Sequence, residues 1–330
     1  MNNKIFYEMN EVCYSNKTPK SLDFLFITLN NVEDRTKSAL TELNKRDVKI
    51  VNLVIIDYSK QTEFINTYLN SINRCLIENV ILLKADKQNY ETNFIAIKQR
   101  VAIKDDYMNI GIDISCLPIP QIFLLLKWLY RMERHKIIIY YTEPERYIMN
   151  NGLFESYFST SGPVTVREIS GFSGITVKKD QNERVLLCIL GFDNDLLPTV
   201  IQEAGPQSIV AINGFPSFYP KFKDISLINN EKILSGSEFA SKLEKSSNLT
   251  NFVYVEADNP FDAFNVLEEL KNKYDNNCID VVPLGSKPMA LGVCLFAIEN
   301  KDIRVIFPFP DEYAEATGQK SSKTLEYIVK

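Results

Sequence analysis

One stretch of this chain carries the residue types of an anion site. Residues Val281 to Val293 read VVPLGSKPMALGV: a short apolar run, a Gly285-Ser286-Lys287 corner, then apolar residues at helical spacing. Gly285 lets the backbone turn, Ser286 can cap the helix that follows, and Pro288 suits its first turn. Amides at such a corner, joined by the Lys287 ammonium, are chemistry for a phosphate or another small anion. The spacing departs from the G-x-x-x-x-G-K-[ST] of a nucleoside-triphosphate loop, so a plain strand-to-helix turn remains an equal reading.

Acidic residues form a second set. Asp193 and Asp195 follow one apolar run; Asn30, Asn31, Glu33 and Asp34 follow its counterpart in the first half; Asp113 and Asp280 stand inside two further runs. Carboxylates so placed cap helices or, with Mg2+, perform metal-assisted or acid–base chemistry. A third pattern, P-x-x-Y-x-x-x-x-G, occurs as Pro144, Tyr147, Gly152 and again as Pro310, Tyr313, Gly318. Tyr147 and Tyr313 can pack on a sheet around a fixed turn, or stack on a flat ring at the mouth of a cleft. Arg146, Lys320, Ser321, Ser322 and Lys323 are near them in sequence and would add polar contacts to an anion.

Other chemistry is not to be expected. His135 is the only histidine, which argues against a Ser-His-Asp triad, a Cys-His pair or a multi-histidine metal site. Cys13, Cys75, Cys116, Cys188, Cys278 and Cys294 are far apart without a C-x-x-C pair, the pattern of buried reduced thiols in a cytoplasm. With 37 Lys and Arg against 42 Asp and Glu, a net charge of −5, the surface is unsuited to coating DNA or RNA, although a small phosphorylated ligand needs only a local cluster. Neither an apolar leader nor a run of about 18 apolar residues is present, so no signal peptide and no membrane span is expected.

Elements must hold these residues. Apolar runs at 22–29, 49–57, 79–86, 109–115 and 136–143 alternate with amphipathic stretches, and the series recurs at 184–192, 207–214, 251–258, 278–285 and 302–310. Such alternation predicts parallel α/β sheets covered by helices. Residues recur too: 310 − 144, 313 − 147 and 318 − 152 all give 166, while Asp280/Asp113 gives 167 and Asp258/Asp86 gives 172. The expected fold is α/β, two tandem Rossmann-like three-layer units related by internal duplication and a pseudo-twofold. Residues 1–20 would be an N-terminal extension, 21–169 the first unit, 170–183 a junction and 184–330 the second unit. Ligands collect at the carboxyl ends of strands in such sheets. At the equivalent corner the first copy reads ISCLPIPQ, which matches Pro120 to Pro288 and can offer Ser115, but lacks the glycine and the lysine.

With tandem Rossmann-like units and the LGSKPMALGV corner in view, the chain resembles the CRISPR-associated Rossmann fold (CARF) domains and their fused-tandem relatives of bacterial antiviral signalling. Gly285, Ser286 and Lys287 carry the resemblance, with Ala290 and Gly292 in the helix, and it covers the topology of nearly the whole chain. It implies that these residues help cradle a cyclic oligonucleotide between paired units. The first copy departs from the motif, and no nuclease, protease or membrane effector domain is recognised, so the resemblance implies a sensor whose effector is a separate protein, or a ligand-degrading member. The function read from the sequence is a sensory protein. It would hold a small anionic, nucleotide-like ligand in the cleft of two halves, contacted by Gly285, Ser286, Lys287, Ser115, Tyr147, Tyr313 and Lys320, without a resident cofactor. The alternatives are a Mg2+-assisted nucleotide-processing enzyme using Asp113, Asp193, Asp195 or Asp280, and a scaffold subunit with no ligand.

Overall fold

The computed structural model describes residues 8–11, 19–29, 34–58, 76–86, 88–103, 106, 108–147, 149–150, 156–157, 161–174, 183–193, 195–235, 252–312 and 318–330. The first half holds β1 (Glu8–Glu11), β2 (Ser21–Leu29), α1 (Ser38–Lys45), β3 (Lys49–Asp57), β4 (Ile77–Lys84), α2 (Tyr90–Arg100), β5 (Met108–Asp113), α3 (Ile119–Tyr130) and β6 (His135–Tyr147). A small hairpin of β7 (Met149–Asn150) and β8 (Ser156–Tyr157) leads to β9 (Ser161–Ser173). Then come β10 (Arg184–Ile189), α4 (Leu196–Ala204), β11 (Ser208–Gly214), α5 (Phe222–Asn229), α6 (Glu231–Leu234) and β12 (Phe252–Val255). The chain ends with α7 (Pro260–Lys273), β13 (Cys278–Pro283), α8 (Lys287–Glu299), β14 (Arg304–Glu312) and β15 (Gly318–Ile328).

The five parallel strands of each half take one order. In the first sheet β4-β3-β2-β5-β6 are parallel neighbours, and in the second β12-β11-β10-β13-β14. Counted along the chain both read 3-2-1-4-5, the doubly wound Rossmann order. Both faces of each sheet are covered. Leu25, Ile27, Leu53 and Ile55 pack beneath Ala39, Leu40 and Leu43 of α1. Strand alternation turns Phe24, Phe26, Val54 and Ile56 to the other face, where they are buried as well. In the second unit Leu186, Cys188, Ile209 and Ala211 meet Leu197, Val200 and Ile201 of α4, while α7 and α8 pack on each other. Their crossing is close: a Cβ on Gly292 would lie 2.3 Å from the Pro260 carbonyl oxygen and 2.8 Å from the Ala263 Cβ. Gly292 is thus required by helix packing. No helix among the described residues is long and apolar enough to cross a membrane.

The antiparallel strands depart from the expected division. β9 follows β6 in sequence yet pairs with β14; β15 follows β14 yet pairs with β6; β1 adds to β15. The compact units are therefore Met1–Ile148 with Glu315–Lys330, and Met149–Ala314. Part of the expected extension, 8–11, is a strand of the first sheet, and 170–173 of the expected junction lies in β9 of the second. The rest of that junction, 175–182, falls outside the described residues.

Strand register also corrects one match of the duplication. Asp280 pairs with Arg304 and Gly111 pairs with Ile138. Since 304 − 138 equals the 166 set by the shared prolines, Asp280 corresponds to Gly111 (280 − 111 = 169), not to Asp113. Beyond the third strand the true counterparts are Asp86 with Asn89 and Glu256 with Asn259 (both offset by 170). In each pair the asparagine side chain donates to the acid, at 2.6 and 2.8 Å.

His135 opens β6 at the amino end of its sheet, 3% exposed, with no hydrogen-bond partner among the described residues for either ring nitrogen. That end is opposite the rim where ligands collect. Replacing a buried, unpaired polar group by an apolar one of similar size is close to neutral or stabilising. His135→Leu is expected to change the unfolding free energy by less than about 1 kcal/mol, and upward if at all. Urea denaturation checks this; a loss of several kcal/mol would mean that the imidazole is held by a polar contact.

Candidate functional site

In a 3-2-1-4-5 sheet the crevice opens where the strand order reverses, beside the first and fourth strands. In the second unit these are β10 and β13, and the Gly285-Ser286-Lys287 corner follows β13. The loops after the two strands touch. A Cβ on Gly191 would sit 2.2 Å from the Leu284 carbonyl oxygen, and one on Gly285 would sit 2.6 Å from the Ile189 Cγ2. Gly285 lacks a positive φ, so what it supplies is room for close approach and not a left-handed turn.

Ser286 is the N-cap of α8: its hydroxyl accepts from the Met289 amide at 3.3 Å and donates to the Ala257 carbonyl. One side chain thus starts the helix and ties the loop after β13 to the loop after β12. Pro288 has no amide, and the Ala290 amide donates to the Ser286 carbonyl at 2.9 Å. An anion at this helix end would meet the amides that precede Pro288. Lys287, half-buried, opens a 13-residue helix with no acidic residue in its first turn. A cation in that position is opposed by the helix dipole, which favours negative charge there.

The acidic candidates divide. Asp193 accepts from the Asp195 amide at 3.0 Å, and Thr199 donates to the Asp195 carbonyl at 2.9 Å, so the pair shapes the turn into α4 on the same rim. Asp195 is exposed and caps nothing with its own side chain. Asp280 is the clear correction. It is 1% exposed and lies near the amino end of β13, where both its oxygens take Arg184 Nη1 at 2.8 Å, and Arg304 Nε and Nη2 bind them at 2.8 and 2.6 Å. The Arg304 guanidinium is held more firmly protonated than usual, chiefly by its hydrogen bond to Asp280. This is a structural ion cluster at the end of the sheet remote from the rim.

The first unit fills its own switch point. Ser115 is fully buried; its hydroxyl donates to Asp113 and accepts from the Thr142 amide at 2.8 Å, and its amide donates to Asp113 at 2.9 Å. These bonds fasten the end of β5 to the middle of β6, leaving Ser115 no surface for a ligand and Asp113 (3% exposed) a structural acceptor. Both expectations are corrected by burial. Arg35, from the 3-10 turn Asp34–Lys37, is buried beside them and donates to the Thr142 carbonyl at 3.4 Å. The α3 start holds Pro118 and Pro120, and the Gln121 and Ile122 amides both donate to the Pro118 carbonyl. Ile119 stands where α8 has Lys287.

Tyr147 takes the packing role. It is half-buried and donates to Glu143 at 2.8 Å; the buried Glu143 carboxylate also accepts from Tyr141. Burial, then the adjoining Glu143 charge, pushes the Tyr147 hydroxyl well above the ordinary tyrosine range. Tyr313, Gly152, Asn30, Asn31 and Glu33 lie outside the described residues, and Lys320 lies within β15. Among the described residues no three His, Cys, Asp or Glu side chains are grouped to hold a metal ion.

Sequence reasoning passed over the loop after β11, Phe215-Pro216-Ser217-Phe218-Tyr219-Pro220-Lys221-Phe222, which lies on the rim of the second unit. Its four aromatic residues among eight were a signal available in the sequence.

No family model matches the chain, and no curated protein does. Among solved structures, the cytoplasmic domain of a prokaryotic cation chloride cotransporter is similar over 89% of this chain and 98% of its own, at 10% identity and a TM-score of 0.26. That likeness carries no argument about fold or function.

Proposed function

We propose that this chain is a binding or sensory protein whose second unit takes a small anionic, nucleotide-like ligand at the Gly285-Ser286-Lys287 corner. One observation carries the reading: Lys287 opens α8 at the switch point, directly after the Ser286 cap, where the positive end of the helix favours an anion. A bound phosphate would be met by the amides before Pro288 and by the Lys287 ammonium. A sensor of this kind passes its signal to a separate effector protein, as the CARF resemblance implies. A Mg2+-assisted enzyme is the weaker reading, because Asp280 is taken by two arginines and Asp113 is closed in.

Thermal unfolding of the full chain with inorganic phosphate and with nucleoside phosphates tests the proposal. A ligand at about 100 times its Kd should stabilise the second unit by about 2.7 kcal/mol, a rise in Tm of several degrees. Lys287→Ala should remove most of that shift while leaving the Tm of the unliganded chain nearly unchanged. An equal shift in Lys287→Ala would place the ligand elsewhere, and no shift with any phosphate would leave the scaffold reading ahead.

A further inference from the structure

Among the described residues the two large aromatic side chains that remain half-exposed, Phe215 (50%) and Tyr254 (51%), touch each other. Their ring centroids are 6.1 Å apart at 75°, edge to face. Two half-exposed rings in contact make a contiguous apolar patch, the surface feature that marks ligand-binding grooves. Both stand on the rim of the second unit. Phe215 directly follows β11, its amide donating to the Val255 carbonyl, and Tyr254 is the third residue of β12.

A short chain of contacts links this pair to the phosphate corner. The Ala257 amide donates to the Pro216 carbonyl at 3.0 Å, and the Ala257 carbonyl accepts from Ser286, the cap of α8. On the other side of Phe215, a Cβ on Gly214 would lie 3.3 Å from the sulfur of Met289, in the first turn of α8. The pair and the corner therefore border one rim but opposite faces of the sheet. Tyr254 shares the register of Asn213, whose carboxamide is bonded to Ser226 and Lys223 of α5, whereas Gly214 faces α8. From the end of β13 to the end of β11 is two strand spacings, about 10 Å. A lone phosphate cannot span that distance, while a molecule with a phosphate at one end and a flat ring at the other can lie across the rim, as ligands do at a switch point.

We infer that Phe215 and Tyr254 form a stacking shelf for a planar heteroaromatic ring, so that the ligand class is a nucleotide and not a simple oxyanion. This rests on the proposed phosphate corner at Gly285-Ser286-Lys287. Stacking on an aromatic side chain is tolerant of base identity, because every base has a π face, so the shelf adds affinity for a ring without choosing one base. Exposed Lys221, in the same loop, adds positive charge beside the shelf.

The test compares ribose 5-phosphate with AMP and UMP on the full chain, by calorimetry or thermal shift. AMP and UMP should bind at least about tenfold more tightly than ribose 5-phosphate, and Phe215→Ser with Tyr254→Ser should abolish that advantage while ribose 5-phosphate binding persists. Lys287→Ala should weaken all three. Because both rings are half in water, the double variant is expected to keep the parent Tm within a few degrees, which the same melts report. Equal binding of AMP and ribose 5-phosphate, or an AMP advantage that survives the double variant, overturns the shelf and leaves the corner standing. Binding of none of the three overturns both.

Discussion

A chain ending at Thr317 is expected to lose the fold of its first unit, while the continuous segment 149–314 folds alone. β15 pairs with β6 from Gly318 opposite Tyr147 to Ile328 opposite Ile138 and is also the strand on which β1 is laid. Deleting it exposes one edge of β6 and removes Leu325, Tyr327 and Val329, all fully buried or nearly so. Large apolar side chains contribute about 1.5–3 kcal/mol each when buried, so these three alone approach the 5–15 kcal/mol that separates a domain from its unfolded state. The Thr142–Thr324 hydroxyl contact, the Arg46–Glu326 pair and the Lys330 ammonium bonds to the Tyr130 and Met132 carbonyls go with them. Hydrogen exchange should show protection lost from β2, β3 and β5 in chain 1–317, and one cooperative melt for 149–314. Native protection of the first sheet in the truncated chain would refute the strand assignment.

The ten parallel strands were legible because strands buried on both faces must be apolar almost throughout. β3 shows why: Leu53, Val54, Ile55 and Ile56 are all 0–1% exposed, so the run carries no alternation to confuse the reading. The antiparallel strands were not legible for the complementary reason. β15 begins Gly318-Gln319-Lys320-Ser321-Ser322-Lys323, and β9 begins Ser161-Gly162-Pro163 and carries Gly171 near its end, which read as loop. Even a recognised strand does not state its partner. That β15 returns to β6 and β9 goes forward to β14 depends on contacts between residues more than a hundred positions apart, which no local pattern encodes.

The candidate site was half legible. Residue chemistry located the corner, since glycine, serine, lysine and proline each have a physical role in a strand-to-helix turn. It could not tell that Ser115, of the same type and in the matching loop as Ser286, is sealed between Asp113 and Thr142. Nor could it separate Tyr147, bonded to Glu143, from an open ring such as Phe215, because exposure is decided by the whole sheet. The Asp113/Asp280 match failed by two residues, a slip that offsets cannot reveal and strand register can.

That slip leads to the second large effect. Asp280→Ala is expected to destabilise the second unit by about 3 kcal/mol or more, the cost of removing one partner from a buried ion cluster. The carboxylate joins the first residues of β10 and β14 to β13, and without it Arg184 and Arg304 would face each other, with Arg304 keeping its 3.6 Å ion pair to Glu168. Their side chains are 34% and 27% exposed, so water relieves part of that repulsion and holds the loss to the lower end of the range. Asp280→Asn, which keeps one acceptor oxygen, should lose less. Asp193→Asn and Asp195→Asn, on a partly exposed turn, should cost under about 1 kcal/mol. Urea denaturation of segment 149–314 ranks the four. A structural aspartate also predicts that the proposed phosphate binding at the corner survives in Asp280→Ala below its melting temperature, since the cluster lies at the amino end of β13 and Lys287 lies beyond its carboxyl end. If instead Asp280→Ala kept the parent stability and abolished a Mg2+-dependent turnover, the enzyme reading would return with Asp280 at its centre.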